Sequence, residues 1–301
     1  MSTEILKLAS VSELHKALHI APPKHPLISI VYVADIDFME EMIGQRISAN
    51  LYTIALKGGH CGMQYGRNHY DFEEGVLMFT SPNQVVAATE KPPENKEGWM
   101  LFFHPDLIRK FPLGTDIENY SFFSYEANEA LHLSDDEKKI LNDCIHNIEG
   151  EYAQRIDDYS QKVMVSNIDL LLSYCARFYH RQFNTRSNEN SEIVSQVEGY
   201  LKAYFESGQL AEYGVPSVQY FAEKVHLSQN YLSDVLKKET GRSAKDHIND
   251  FLIKKAKTML VNSEDSVSEI AYALGFNYPH YFSRMFKTKT GVSPNKYREL
   301  N

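Results

Sequence analysis

Cysteine is scarce in this chain: 301 residues hold three, Cys61, Cys144 and Cys175, an odd number at wide spacings. None has a second Cys or a His close by in sequence, so neither a disulfide framework nor a zinc spacing is on offer. A reducing compartment, the cytoplasm, is expected. Long apolar runs are missing too. No stretch approaches the roughly 20 apolar residues that span a bilayer. Residues 1–10 lack the basic start and apolar run of a secretion signal, so none is expected. Gly-rich phosphate loops, dinucleotide fingerprints and the Gly-x-Ser-x-Gly nucleophile turn are absent, which removes the commonest signatures of nucleotide enzymes and hydrolases. A basic surplus is lacking overall, with 31 Lys and Arg against 40 Asp and Glu.

What is present points to packed cores. The chain is 43% hydrophobic and carries 19 Tyr and 16 Phe, which excludes a disordered protein. Its length exceeds what one core supports, so two domains are expected. The charge divides along the chain in the same way. Residues 1–192 hold 17 Lys/Arg against 28 Asp/Glu, whereas residues 217–301 hold 13 against 9. An acidic first part and a mildly basic last part suggest a sensing or assembly domain followed by one that meets a polyanion.

From about Leu27 to Phe103 short β runs follow one another: ISIVYV (28–33), NLYTIAL (50–56), GVLMFTS (75–81), QVVAATE (84–90) and GWMLFFH (98–104). Gly58-Gly59, Pro82-Asn83 and Pro92-Pro93 punctuate them. Such spacing predicts an antiparallel barrel or sandwich over about 27–104. Residues 105–127 read as irregular and aromatic. Two helices follow within about 134–182. The first opens on a Ser134–Glu137 capping box, and the second runs from about Asp157 to Gln182 with an aliphatic stripe. That second helix either covers the barrel or forms a dimer seam. The polar segment 186–192 reads as a linker between residues 1–185 and 193–301. Beyond it everything reads as helix and turn.

The last hundred residues contain an internal repeat. YLSDVLKKETGRS (231–243) and YFSRMFKTKTGVS (281–293) share Tyr231/Tyr281, Ser233/Ser283, Lys237/Lys287, Thr240/Thr290, Gly241/Gly291 and Ser243/Ser293. A short amphipathic helix precedes each copy. Val218, Phe221, Ala222 and Val225 match Val267, Ile270, Ala271 and Leu274, and Ser217 and Ser266 stand as caps. A short helix, a tight turn and a second helix make a helix-turn-helix unit, predicted at about 217–239 and again at 266–289. A helix at about 244–260, apolar along Ile248, Phe251, Leu252, Ala256 and Met259, joins the two units as a core spacer.

The inward positions of each second helix are Leu232, Val235 and Leu236, and Phe282, Met285 and Phe286. They leave polar residues outward at its N-terminal half, as a helix entering a major groove requires. Base readers are expected at Asn230, Ser233, Asp234, Pro279, His280, Ser283 and Arg284. Phosphate contacts are expected at Ser228, Gln229, Lys237, Lys238, Tyr281 and Lys287. Several readings stay open. Arg284 reads a base, meets a phosphate or is simply solvated; Asp234 accepts from cytosine or pairs with Lys238; Tyr231 and Tyr281 pack or touch phosphate. Lys289 counts toward the same basic face.

Residues 217–300 resemble the DNA-binding domain of the AraC/XylS family. The resemblance rests on the IA-x-x-x-GF, YFSR-x-FK and G-x-SP-x-x-YR pieces over Ile270–Phe276, Tyr281–Lys287 and Gly291–Arg298. It implies an α+β chain with a helical domain of about seven helices, whose two recognition helices enter successive major-groove turns. It also implies an N-terminal cupin-like β-barrel that binds an effector or mediates dimerisation. The function so expected is sequence-specific transcription regulation on double-stranded DNA. RNA polymerase, a possible small-molecule effector and a possible homodimer are the implied partners. The alternative is a metal- or small-molecule-dependent cupin-type enzyme with an accessory helical domain. Metal-holding cupins need an H-x-H pair with a later Glu and His, whereas His60, His69 and His104 are isolated. No metal, cofactor or catalytic residue is therefore expected.

Overall fold

Val, Ile, Leu and aromatic residues crowd the segments that become strands in the first unit, and period-3.6 stripes dominate the second. The structure, a computed structural model, describes residues 5–36, 43–57, 63–65, 68–70, 75–87, 97–126, 129–154 and 156–300. They divide into two compact units, residues 1–185 and 186–301, making an α+β chain with a helical C-terminal unit.

In the first unit the strands are β1 (Ile5–Leu8), β2 (Ile28–Tyr32), β3 (Arg46–Ala49), β4 (Tyr52–Lys57), β5 (Met63–Tyr65), β6 (Asn68–Tyr70), β7 (Val76–Thr80), β8 (Val85–Ala87), β9 (Gly98–Phe103) and β10 (Leu131–His132). Five of them form an antiparallel sheet in the order β10-β7-β4-β9-β2. Its register stacks Ile54 between Phe79 and Leu101, all three buried, so the centre of the sheet is apolar on one face. Helices α1 (Val11–Ala17), α2 (Pro105–Ile108), α3 (Leu113–Asp116), α4 (Asp135–Ala153) and α5 (Ser160–Thr185) complete the unit. The α4 helix opens on the expected Ser134–Glu137 capping box. It joins the sheet through Trp99 Nε1, which donates to Asn142 Oδ1 at 2.8 Å, and through Ile30 N, which donates to Tyr152 Oη at 3.2 Å.

The expected barrel does not close. Among the described residues the strands stand in three separate sheets, with β1-β3-β8 and β5-β6 beside the five-stranded one. Closure needs a continuous ladder, and at β10 other groups occupy that ladder. His132 N donates to Gln182 Oε1 at 2.8 Å, and Arg181 Nη2 donates to His132 O at 2.6 Å. Side chains of α5 thus sit where a closing strand would pair. The run at 84–90 carries β8 over Val85–Ala87; residues 88–90 and the Pro92-Pro93 loop lie outside the described residues. Residues 105–126, read as irregular, carry α2, α3 and short 3-10 turns.

Among the described residues the C-terminal unit has eight helices where about seven were expected: α6 (Ser187–Glu206), α7 (Gln209–Tyr213), α8 (Val218–Lys224), α9 (Gln229–Thr240), α10 (Ala244–Asn262), α11 (Val267–Ala273), α12 (Pro279–Thr290) and α13 (Pro294–Leu300). The segment read as a linker is the start of α6. It contains no Gly or Pro to stop a helix, and the stripe Ile193, Val194, Val197, Leu201 and Phe205 draws the whole segment onto the core. The α10 helix is the spacer expected from its stripe. Leu252, Ala256 and Leu260 are at most 1% exposed and lie in one cluster with Phe221, Leu232, Leu236, Ile270, Phe282 and Phe286. Both helix-turn-helix units therefore share a single core.

The two tight turns each need a left-handed residue, and they supply it differently. His226 has φ 57° after α8, and Gly275 has φ 77° after α11. A Cβ on Gly275 would lie 2.7 Å from the Cα of Gly214 and 2.9 Å from the Leu210 carbonyl, so backbone meets backbone there. Gly275→Ala should therefore cost about 2 kcal/mol or more through strain and clash together. His226→Gly, relieved of the left-handed penalty but more entropic when unfolded, should gain about 0.5 kcal/mol. Denaturant unfolding of the full chain, with hydrogen exchange of the α11 and α12 amides, reads both. Wild-type stability for Gly275→Ala would show that the Gly214 contact yields freely.

Candidate nucleic-acid interface

Local chemistry sets each helix start. Ser217 Oγ accepts from Tyr220 N, Ser228 Oγ from Tyr231 N, and the Ser266–Glu269 capping box is complete at 3.2 and 2.7 Å. The ends repeat as well. Thr240 Oγ1 donates to Leu236 O at 2.7 Å before Gly241, and Thr290 Oγ1 to Phe286 O at 2.8 Å before Gly291. Both glycines are left-handed C-caps, with φ 73° and 82°. The sequence repeat is thus a repeat of C-terminal capping geometry, and α9 and α12 are both 12 residues long.

Inward and outward faces divide as the spacing predicts. Leu232, Val235, Leu236, Phe282 and Phe286 are fully buried, and Met285 is half-buried. On α9, Gln229, Asn230, Lys237 and Lys238 are exposed, whereas Ser233 and Asp234 are half-buried. On α12, His280, Tyr281, Arg284 and Lys287 are exposed, with Pro279 and Ser283 half-buried. The expected residues thus gather on one side of each helix. Some of them carry internal bonds. Ser233 Oγ donates to Gln229 O at 2.8 Å, and Ser228 is a buried cap. The equivalent tyrosines part company: Tyr231 is 4% exposed and packs, while Tyr281 is 57% exposed.

Lys289 leaves the basic face to which the sequence assigned it. Its ammonium donates to Asp246 Oδ1 at 2.7 Å and lies 3.4 Å from Asp250, which also pairs with Arg242 at 2.9 Å. This network links the C-terminal turn of α12 to the first turns of α10 and to the residue after the α9 cap. Sequence reasoning missed it because its members are 43 residues apart along the chain in the case of Lys289 and Asp246. Arg298 of the SP-x-x-YR ending is likewise structural. It donates to Leu260 O at 2.9 Å and Asp265 O at 2.6 Å, and so satisfies a carbonyl at the end of α10. Tyr297 packs edge-on against Phe286 at 5.5 Å.

In the first unit, His104 is a structural residue. Its Nδ1 accepts from Asp106 N at 3.2 Å as the cap of α2, and its Nε2 lies 3.0 Å from Asn50 Nδ2. His60 lies outside the described residues. Among the described residues no group of three His, Cys, Asp or Glu could hold a metal, and no helix is long and apolar enough to cross a membrane.

Two capped helix-turn-helix units on one core define a double helix-turn-helix DNA-binding domain. The helix-turn-helix domain family matches residues 221–300. Among curated proteins, the chain is similar to the HTH-type transcriptional regulator YijO of Escherichia coli K12, 25% identical over 192 residues, 64% of each chain. It is also similar to the Msm operon regulatory protein of Streptococcus mutans, 28% identical over 141 residues, 46% of this chain and 48% of that one. The chain thus spans between about half and two thirds of the length of these relatives. Among solved structures, the C-terminal domain of AraT, a response regulator from Geobacillus stearothermophilus, is 32% identical. The match covers 36% of this chain and 85% of that one, with a TM-score of 0.32.

The Lys289 ammonium, together with the Ser243 hydroxyl at 2.7 Å, holds the Asp246 carboxyl down at about 2. Its folded value lies below the unfolded one, so the stabilisation it brings is complete above the ordinary carboxylate range and fades as pH falls toward 2. Lys289→Met should move the Asp246 titration upward, toward the ordinary value of 3.8. Carboxyl-carbon NMR of labelled protein tests this. An Asp246 titration that ignores the substitution would dissolve the assigned network.

Proposed function

We propose that this chain is a sequence-specific DNA-binding transcription factor that reads two successive major-groove segments, one with α9 and one with α12. The observation that carries the reading is the pair of equal helices, each turning polar side chains outward from a core shared through α10. In this reading Asn230, Ser233, Asp234, Pro279, His280, Ser283 and Arg284 face base edges. Gln229, Lys237, Lys238 and Lys287 meet phosphates, and Ser228 serves the contact through its capped helix start. The N-terminal unit acts as the cupin-like regulatory part, binding an effector or a second copy, and the chain works in the cytoplasm with RNA polymerase as a partner. An enzymatic role has no observation in its favour.

Footprinting of the full chain on genomic fragments enriched by immunoprecipitation tests the reading. Protection is expected on one face of the duplex in two major-groove segments about one turn, roughly 34 Å, apart. Protection confined to one segment would leave one helix without a role. Within such a site Arg284→Ala should weaken binding by about 1–3 kcal/mol and relax preference at one base pair, because a guanidinium forks onto O6 and N7 of guanine. Lys287→Ala should reduce the salt slope by about one charge. Lys289→Ala should reduce it less, since its charge is already taken by Asp246 and Asp250. Equal slopes for the two lysine variants would count against that division of labour.

A further inference from the structure

The two reading helices differ most at their N-terminal ends. In α9 the cap and first turn are Ser228, Gln229 and Asn230, followed by the inward Tyr231. In α12 the same positions hold Tyr278, Pro279, His280 and Tyr281. Tyr278 caps without any side-chain bond to the backbone, unlike the serine caps of α8, α9, α10 and α11. Tyr278 and Tyr281 are 59% and 57% exposed. Their rings lean on His280 and on each other, with centroids 5.7 Å apart for Tyr278–His280, 4.3 Å for His280–Tyr281 and 6.0 Å for Tyr278–Tyr281. His280, Arg284 and Lys287 follow at spacings of four and three, so this aromatic cluster is continuous with the cationic stripe of α12.

A cluster of exposed rings wants an apolar partner. In a major groove the apolar group on offer is the 5-methyl of thymine; the other base-edge groups there donate or accept hydrogen bonds. We propose that Tyr278, His280 and Tyr281 read thymine methyl groups, so that the DNA segment under α12 is selected for thymine. The segment under α9 is selected instead through the amide of Asn230. This rests on the transcription-factor reading and assigns different chemistry to its two halves.

The test uses the full chain and a random-sequence duplex library. Selected duplexes are resynthesised with deoxyuridine replacing thymine one position at a time, which deletes the methyl and keeps every hydrogen-bonding group. At one or two positions within a single half-site, loss of the methyl should weaken binding about fourfold, the worth of one small alkyl group taken from water. Changes in the other half-site should have no such effect. Tyr278→Ala and Tyr281→Ala, both at exposed positions and so expected to keep the wild-type thermal midpoint, should lose the distinction between thymine and deoxyuridine. Tyr278→Phe and Tyr281→Phe should keep it. Deoxyuridine duplexes bound as tightly as thymine ones would overturn the assignment. Phe variants that behave as the Ala variants would also overturn it, pointing to hydroxyl contacts with phosphate. Ala variants with wild-type DNA binding would hand the rings to a protein partner and end the proposal. Failure to enrich any sequence would instead overturn the transcription-factor reading, and this assignment with it.

Discussion

Burial of the inner face of α10 is the constraint on which the C-terminal unit depends. Ala256 admits close approach, and Leu252 and Leu260 fill the space on either side, all within the cluster that holds Phe221 of one helix-turn-helix and Ile270 of the other. Burying three such aliphatic side chains and their partners is worth several kcal/mol, far more than surface ion pairs return. The Lys289–Asp246–Asp250–Arg242 network therefore trims an arrangement that apolar packing has already set. Two helices held this way cannot adjust separately to the DNA they meet. Their spacing is a property of the core.

Much of this unit is legible in sequence because its determinants are local. A serine three residues before a backbone amide, a glycine after a Lys-x-x-Thr, and apolar residues at i, i+3 and i+4 all act within one or two turns. The left-handed turn of the second unit announces itself through Gly275. The first hides the same conformation behind His226, which no pattern marks. What sequence could not show is what pairs with what. The roles of Lys289 and Arg298 depend on partners 43 and 38 residues away. The fates of Tyr231 and Tyr281, identical in the repeat, depend on what surrounds each ring.

The first unit was less legible for the same reason. Strand spacing counts strands and does not order them. It did not reveal that β1 pairs in parallel with β3, or that β4 lies between β7 and β9. The segment 186–192 misled in the other direction. Polar composition resembles a tether, yet Asn190 is 1% exposed, and the stripe that follows extends the helix back over it. Composition describes residues, while packing decides their use.

The backbone of His132 carries a consequence of its own. An open sheet margin presents unpaired amide and carbonyl groups, and another chain of extended backbone can dock on them and continue the ladder. At β10 the glutamine and arginine of α5 have filled those valences with side chains that offer no strand-like edge in return. They act as a stopper against templated growth. A protein made repeatedly in a crowded cell gains from this a margin of colloidal safety at that edge. Gln182 is 2% exposed and also donates to Ala130 O at 3.1 Å, so the stopper is built into the core of its own unit.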